Sequence, residues 1–433
     1  MHSLEQLRSG ALTGITRLDL SAELSEFPAE IFQLADSLEV LNLSGNRLTH
    51  LPHDLSRLHK LKVLFCSDNP FSELPEVLGE CPQLEMVGFK SNRLRKVPSA
   101  ALPPSLRWLI LTDNRIESLP SELGERPRLQ KLMLAGNRLQ QLPESMADLA
   151  NLELLRIAAN HIKALPEWLL RLPRLAWLAF AGNPGSNASE AEALASHPLP
   201  AIARDQVTLG EVLGQGASGI IHRAHWQPPG QPARSMAAKL FKGELTSDGL
   251  PHSEMAACLA AGEQANLIGV AGPLAAQAGA AEGLLLELIA PHYRPLAGPP
   301  SLASCTRDIY SAKRQFTRQQ LLNIAQGAAA ATAHLHQRGI LHGDLYAHNL
   351  LVDAAGHCLL GDFGAASFFD PRQSSAPGLQ RIEARAFGCL LEELLQRCPQ
   401  PGLEDLWQLQ QRCVAVDPQE RPLFAEILAR LGD

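Results

Sequence analysis

The second half of the chain holds residues whose type and spacing could handle a phosphate. Val207-Thr-Leu-Gly-Glu-Val-Leu runs straight into Gly214-Gln-Gly216-Ala-Ser218-Gly219-Ile-Ile221, a GxGxxG string. Glycines let a backbone come close to a ligand, so such a loop can lay N–H groups over a triphosphate. The string alone is weak evidence, because dinucleotide-binding folds place a similar one before a helix. Here the next residues, Ile-Ile-His-Arg-Ala-His-Trp, are rich in β-formers, which predicts a hairpin instead. No GxxxxGK[ST] occurs in the sequence, which excludes a P-loop NTPase. Lys239 follows in a second strand-like run, Ala237-Ala238-Lys239-Leu-Phe, and Glu254 in a helical Ser-Glu-Met-Ala-Ala-Cys-Leu. Each charge alone reads as a solvated surface group. Their order gives them weight.

Further on, Leu335-His-Gln-Arg-Gly-Ile-Leu-His342-Gly-Asp344-Leu-Tyr-Ala-His-Asn349-Leu-Leu precedes Gly361-Asp362-Phe363-Gly364. With the glycine loop, the strand lysine and the helix glutamate, this succession resembles the eukaryotic-type protein kinase family. Asp344 and Asn349 stand at the family's spacing. Glu383-Ala-Arg-Ala-Phe-Gly-Cys looks like the large buried helix of a kinase C-lobe, and Asp417-Pro-Gln-Glu-Arg421-Pro matches a late DPxxRP. The kinase-like part covers about residues 205–433, short for the family. The resemblance implies an α+β two-lobed fold that uses ATP with Mg²⁺ or Mn²⁺. It implies that Lys239, fixed by Glu254, holds the α and β phosphates, and that Asn349 and Asp362 carry the metal. Asp344 is then the residue that accepts or orients the acceptor's hydroxyl proton. It further implies a nucleotide site from Gly214, Gly216, Ser218, Gly219, Ile221, Ala237, Lys239 and Glu254. Leu286 guards the adenine pocket, and Glu287 and Ile289 belong to the hinge.

The sequence departs from that pattern in four places. Gly343 replaces the arginine before the catalytic aspartate, and Tyr346 replaces the lysine usual in serine/threonine kinases. Only 21 positions separate Asp362 from Glu383, a much shortened activation and substrate-docking segment. Within it Ala376-Pro-Gly378 is a degenerate APE, which leaves Arg421 without its usual glutamate. Ser367, Ser374 and Ser375 are the hydroxyls available for phosphorylation in that segment.

The first 184 residues repeat. Leucines 38, 61, 84, 106, 129, 152 and 175 open units of LxxLxLxxNxLxxLP, as in LEVLNLSGNRLTHLP. Asn46, Asn69, Asn92, Asn114, Asn137, Asn160 and Asn183 fall in step. This resembles the leucine-rich repeat family over about eight units, and implies an α/β solenoid. The LxL alternation predicts a short strand whose leucines enter a shared core, and each Asn can satisfy backbone groups at the turn. Cys66 sits at a leucine position as a small core residue, and Glu23 replaces the first Asn, as in a cap. The alternate strand positions should face outward. They include Phe65, Trp108, Met133 and Trp177, an apolar face expected to dock a protein partner or substrate. Residues 185–204 read as a terminal cap and linker with a short helix from Ser189 to Ser196, and 205–433 as the kinase domain.

Composition closes other doors. The net charge of −7 divides as −3 before residue 200 and −4 after it, so no nucleic-acid partner is expected. The eight cysteines form no CxxC pair, and the start Met1-His-Ser-Leu-Glu-Gln-Leu-Arg lacks the apolar core of a signal peptide. The longest uncharged stretch, Ala265 to Ala281, is too short and broken for a membrane span. A cytoplasmic protein kinase of the serine/threonine type is therefore expected, with docking repeats. The alternative is a repeat scaffold whose second half is a nucleotide-binding pseudokinase.

Overall fold

The computed structural model describes residues 2–196, 198–216, 218–243 and 245–432. The chain forms two compact units, Met1–Leu172 and Pro173–Asp433. Among the described residues no helix is long and apolar enough to cross a membrane. Among the described residues no disulfide links any of the eight cysteines.

The first unit opens with helix α1 (Leu4–Arg8), capped by a reciprocal Ser3–Gln6 box, and buries Leu7. Seven three-residue strands follow: β1 (Arg17–Asp19), β2 (Val40–Asn42), β3 (Val63–Phe65), β4 (Met86–Gly88), β5 (Trp108–Ile110), β6 (Lys131–Met133) and β7 (Leu154–Arg156). They pair in parallel and in register, so equivalent positions of successive units lie side by side. The central leucine of each strand is buried, apart from β4, where Val87 takes the place. Short 3₁₀ turns return the chain on the other side. The asparagines form the expected ladder. Asn69 Nδ2 donates to Leu43 O of the previous unit at 3.0 Å, and its Oδ1 accepts from Leu48 N at 2.9 Å. Asn114, Asn137 and Asn160 repeat the pattern. Buried backbone groups are thereby paired once per unit.

The outward-facing row is less open than its sequence suggested. Phe65 lies over Gly88, whose missing side chain makes room for the ring. Trp108 carries the Lys131 ammonium 4.2 Å above its ring. Met133, flanked in the sheet by Ile110 and Arg156, is only 7% exposed.

The second unit begins inside the last repeat, whose strand β8 (Trp177–Ala179) precedes Asn183. Helix α2 (Pro184–Ser196) comes next, covering more of the stretch expected as cap and linker than the predicted 189–196. It packs on α3 (Pro251–Ala261), where Ser253 Oγ donates to Glu190 Oε2 at 3.3 Å. A five-stranded antiparallel sheet has the order β12 (Val270–Pro273), β13 (Gly283–Glu287), β11 (Arg234–Phe241), β10 (Gly219–Trp226), β9 (Val207–Gln215). Side chains alternate across it. Ala224, Met236, Ala238 and Leu285 join Ile202 and Leu274 in a core on one face.

A helical lobe completes the unit. It contains α4 (Arg318–Gln337), α5 (Ala376–Leu395), α6 (Glu404–Cys413) and α7 (Phe424–Gly432). Thr317 and Gln320 cap α4 reciprocally. Strand β14 (Arg294–Pro295) precedes α4, and between α4 and α5 lie β15 (Ile340–Leu341), β16 (Leu350–Val352), β17 (Cys358–Leu360) and β18 (Ser367–Phe368); β15 pairs with β18, and β16 with β14 and β17. These short pairings fix both ends of the loop from His342 to Asn349.

Candidate active site

The GxGxxG string is the turn of the β9–β10 hairpin, as its β-rich sequel predicted. A Cβ on Gly214 or Gly216 would meet nothing, so the backbone there is open for a ligand. Gly219 differs: a Cβ would sit 2.6 Å from Leu240 O, and only glycine lets the two strands close. Gly216 O accepts from Lys242 Nζ, and Ser218 O from Lys242 N, both at 2.9 Å. Ala217 lies outside the described residues.

Strand register gathers the expected nucleotide-site residues. Ile221 pairs with Lys239, and Ala237 with Leu286. Because Ala237 and Lys239 are two apart, all four present one face of the sheet, opposite the Met236 core. Lys239 forms an ion pair with Glu254, a residue only 2% exposed on α3. Burial alone would lower the Lys239 pKa, but the charge and hydrogen bond of Glu254, with help from Asp362, outweigh it and raise the value. Lys239 therefore stays a cation in a low-dielectric setting. Glu287 pairs across from Met236, and its N–H donates to Gly269 O at 2.8 Å. A cavity of about 700 Å³ touches Glu287 and Ile289. It is also lined by Met236 and includes none of Lys239, Asp344, Asn349 and Asp362, so it lies behind the sheet and is not this cleft.

Asn349 Nδ2 donates to Asp344 twice, to the backbone O at 2.9 Å and to Oδ2 at 2.8 Å. With both amide hydrogens committed, the Asn349 carbonyl oxygen is the atom left to meet a cation. Asp362 is exposed in a left-handed conformation (φ 55°), and its Oδ1 accepts from Gly364 N at 3.2 Å. A carboxylate and a carboxamide oxygen are the hard donors that Mg²⁺ takes together with phosphates and water. The donor set fits that ion. Among the described residues no cluster of three or more His, Cys, Asp and Glu could hold a metal unaided.

Residue-type reasoning missed the supports of this loop. Glu383, buried at the centre of α5, accepts from Gly343 N at 2.7 Å and His342 N at 3.3 Å, and meets His336 Nε2 at 2.7 Å. Burial pushes its carboxyl up, yet His336 and the backbone donor prevail and hold it below the ordinary value. His342 Nε2 lies 2.9 Å from Gly361 O, tying the loop to the strand before Asp362. Asp308 accepts from His348 N at 2.9 Å and meets its Nδ1 at 2.8 Å.

A model of the protein tyrosine and serine/threonine kinase family matches residues 207–382, and leucine-rich repeat models match 13–71, 104–162 and 127–184. The chain joins leucine-rich repeats to a protein kinase domain. Among curated proteins, the probable inactive serine/threonine-protein kinase roco10 of Dictyostelium discoideum is 37% identical over 127 residues, 27% of this chain and 5% of that protein. Serine/threonine-protein kinase WNG1 of Toxoplasma gondii is 32% identical over 112 residues, 22% of this chain and 18% of the relative. Human cyclin-dependent kinase 20 is 26% identical over 228 residues, 47% of this chain and 61% of the relative. The chain thus spans less than two thirds of each.

Two expectations about the kinase domain are corrected by its packing. Trp177, expected on an exposed docking face, is 1% exposed. Its ring stacks on Tyr346 with centroids 4.2 Å apart and planes at 7°, and its Nε1 donates to Leu345 O at 3.1 Å. Ser367, expected as an available phosphate acceptor, is wholly buried and accepts from Phe180 N and Ala181 N at 2.8 and 3.1 Å. Arg421, lacking the family's glutamate, instead donates to Pro173 O, Ala415 O and Arg381 O at 2.7, 3.0 and 3.4 Å.

Proposed function

We propose that the kinase domain transfers the γ-phosphate of ATP to a protein hydroxyl, with serine or threonine as acceptor. The observation that carries this reading is the joint presence of the Lys239–Glu254 pair and the Asn349-braced Asp344. Lys239 offers a fixed cation to phosphate oxygens. The open backbone at Gly214 and Gly216 covers them, and the face formed by Ile221, Ala237 and Leu286 takes the base. Asn349 and Asp362 hold the divalent ion, which when bound neutralises charge on the phosphates. Asp344 receives the acceptor's hydroxyl proton, its carboxylate kept in line by Asn349. The repeats dock a protein partner through the part of their outward row that stays partly open, Phe65 and Trp108.

The competing reading is a scaffold with a nucleotide-binding pseudokinase, favoured by Gly343 and Tyr346 where the family carries arginine and lysine. Radiolabelled ATP with the purified chain and a generic protein acceptor separates the two. Asp344→Asn should leave nucleotide binding intact and lower transfer about 100- to 1,000-fold, or ~2.7–4 kcal/mol, as loss of one positioned group typically does. Asp362→Asn should weaken Mg·ATP binding itself. Two variants with wild-type turnover would remove the catalytic assignment and leave the scaffold.

A further inference from the structure

The last repeat grips the catalytic loop on both sides of Asp344. On one side stands Gly343, with φ +74°; a Cβ there would lie 2.5 Å from Ala365 O and 2.7 Å from Leu178 O. The backbone of β8 thus takes the space a side chain would need, and the position admits no arginine without displacing the repeat. On the other side, Trp177 donates to Leu345 O and lays its indole flat on Tyr346. The strand's continuation, Phe180–Ala181, donates two backbone N–H groups to Ser367 Oγ in β18. β18 in turn pairs with β15, whose end leads directly into His342.

In kinases governed by loop phosphorylation, the arginine beside the catalytic aspartate pairs with the new phosphate and orders the segment. Here that arginine is absent and repeat backbone stands in its place. We propose that Trp177 is a positioning residue for phosphotransfer. The last repeat, carried permanently in the same chain, replaces a phosphorylated activation segment in holding the loop around Asp344. The kinetic part of this inference rests on the phosphotransfer reading; the ordering part does not.

The test compares full-length wild type, Trp177→Ala and Trp177→Phe by three measurements: amide hydrogen exchange, Mg·ATP affinity, and turnover with a generic protein acceptor. In Trp177→Ala, protection of amides 343–349 should fall tenfold or more while α4 stays protected. Mg·ATP affinity should stay within about threefold, and kcat should drop at least thirtyfold with KM for ATP unchanged. Trp177→Phe keeps a ring on Tyr346 but loses the N–H to Leu345 O. It should fall between the two and recover most of the turnover. Folded Trp177→Ala with wild-type protection of 343–349 overturns the proposal. Should the alanine variant fail to fold, Trp177→Phe decides: at least threefold weaker loop protection supports it, and none overturns it. Wild type that binds Mg·ATP without turnover defeats the phosphotransfer reading, while the exchange measurement still decides what Trp177 does.

Discussion

Glu393 sits beside Tyr310, whose hydroxyl donates to its Oε2 at 3.1 Å, while the Arg397 guanidinium lies 3.9 Å from the Tyr310 ring centroid. Burial, then repulsion from Asp308, pushes the Glu393 carboxyl up to about 7. Asp308 also holds His348 in the His342–Asn349 loop, so this acid is part of the loop's support. An unfolded glutamate has lost its proton well below that value, whereas the folded chain keeps it. Between roughly 4.5 and 7 the folded state binds the extra proton, so stability falls as pH rises through that window and the loss is complete above it. Glu393→Gln keeps an acceptor for Tyr310 and removes the titration. It should raise stability at pH 8 by a few kcal/mol at most, taking ~1.36 kcal/mol per unit, and by much less near pH 5. Urea melts of both proteins across that range check it, and parallel curves would refute it. None of this network was visible in the sequence, because Asp308, Tyr310 and Glu393 belong to no motif. Arg421 shows the same limit. Its DPxxRP setting was legible, but its acceptors are backbone carbonyls, and one of them, Pro173 O, lies far away in sequence.

The segment from Phe363 to Ser375 links the Asp362 loop to α5, and it does so without an independent activation loop. The degenerate Ala376-Pro-Gly378 is the first turn of α5, where proline suits the helix start. Of the three serines, only Ser374 and Ser375 are open enough to be modified; Ser367 is sealed between β18 and Phe180. Neither position faces a loop arginine, because Gly343 has replaced it. Phosphatase treatment and the double change Ser374→Ala, Ser375→Ala should therefore leave kcat within about threefold. Ser367→Ala should act differently. It orphans two buried N–H groups at ~1–3 kcal/mol each and should lower the melting temperature by several degrees. A tenfold loss of kcat from phosphatase alone would show that phosphorylation orders the loop after all. Elements whose signal lies within one contiguous string, such as the repeat strands, the β9–β10 hairpin and α5, were legible from periodicity and turn chemistry. What the last repeat does was not. Trp177 fits the outward position of its LxL pattern perfectly well, and its partner Tyr346 lies in a different motif.

At the scale of the molecule, the sequence marks a change of pattern near residue 184, while compactness places Pro173 and everything after it in one unit. The reason is physical. β8 and α2 carry little core of their own, yet Trp177, Phe180, Ala181, Glu190 and Glu192 all bond to residues between Ser253 and Arg372. Ile202 adds an apolar side chain to the core behind the sheet, and its backbone bridges Pro273 and Ala275. A fragment cut at the expected kinase boundary, residues 205–433, loses all of these. It uncovers Tyr346, strips Ser367 Oγ of two donors and Arg421 of Pro173 O, and opens the space beside Gly343. Exposing one large side chain costs ~1.5–3 kcal/mol, and each orphaned buried group ~1–3 kcal/mol, against a total stability of ~5–15 kcal/mol for a typical domain. The sum is large enough to decide whether the fragment folds. Residues 173–433 should therefore melt cooperatively and bind Mg·ATP, whereas 205–433 should aggregate or melt at least ten degrees lower with weak exchange protection in residues 343–349. Equal melting temperatures and equal loop protection for the two fragments would mean that the last repeat only borders the kinase domain. The predicted gap would mean that it is structurally part of it.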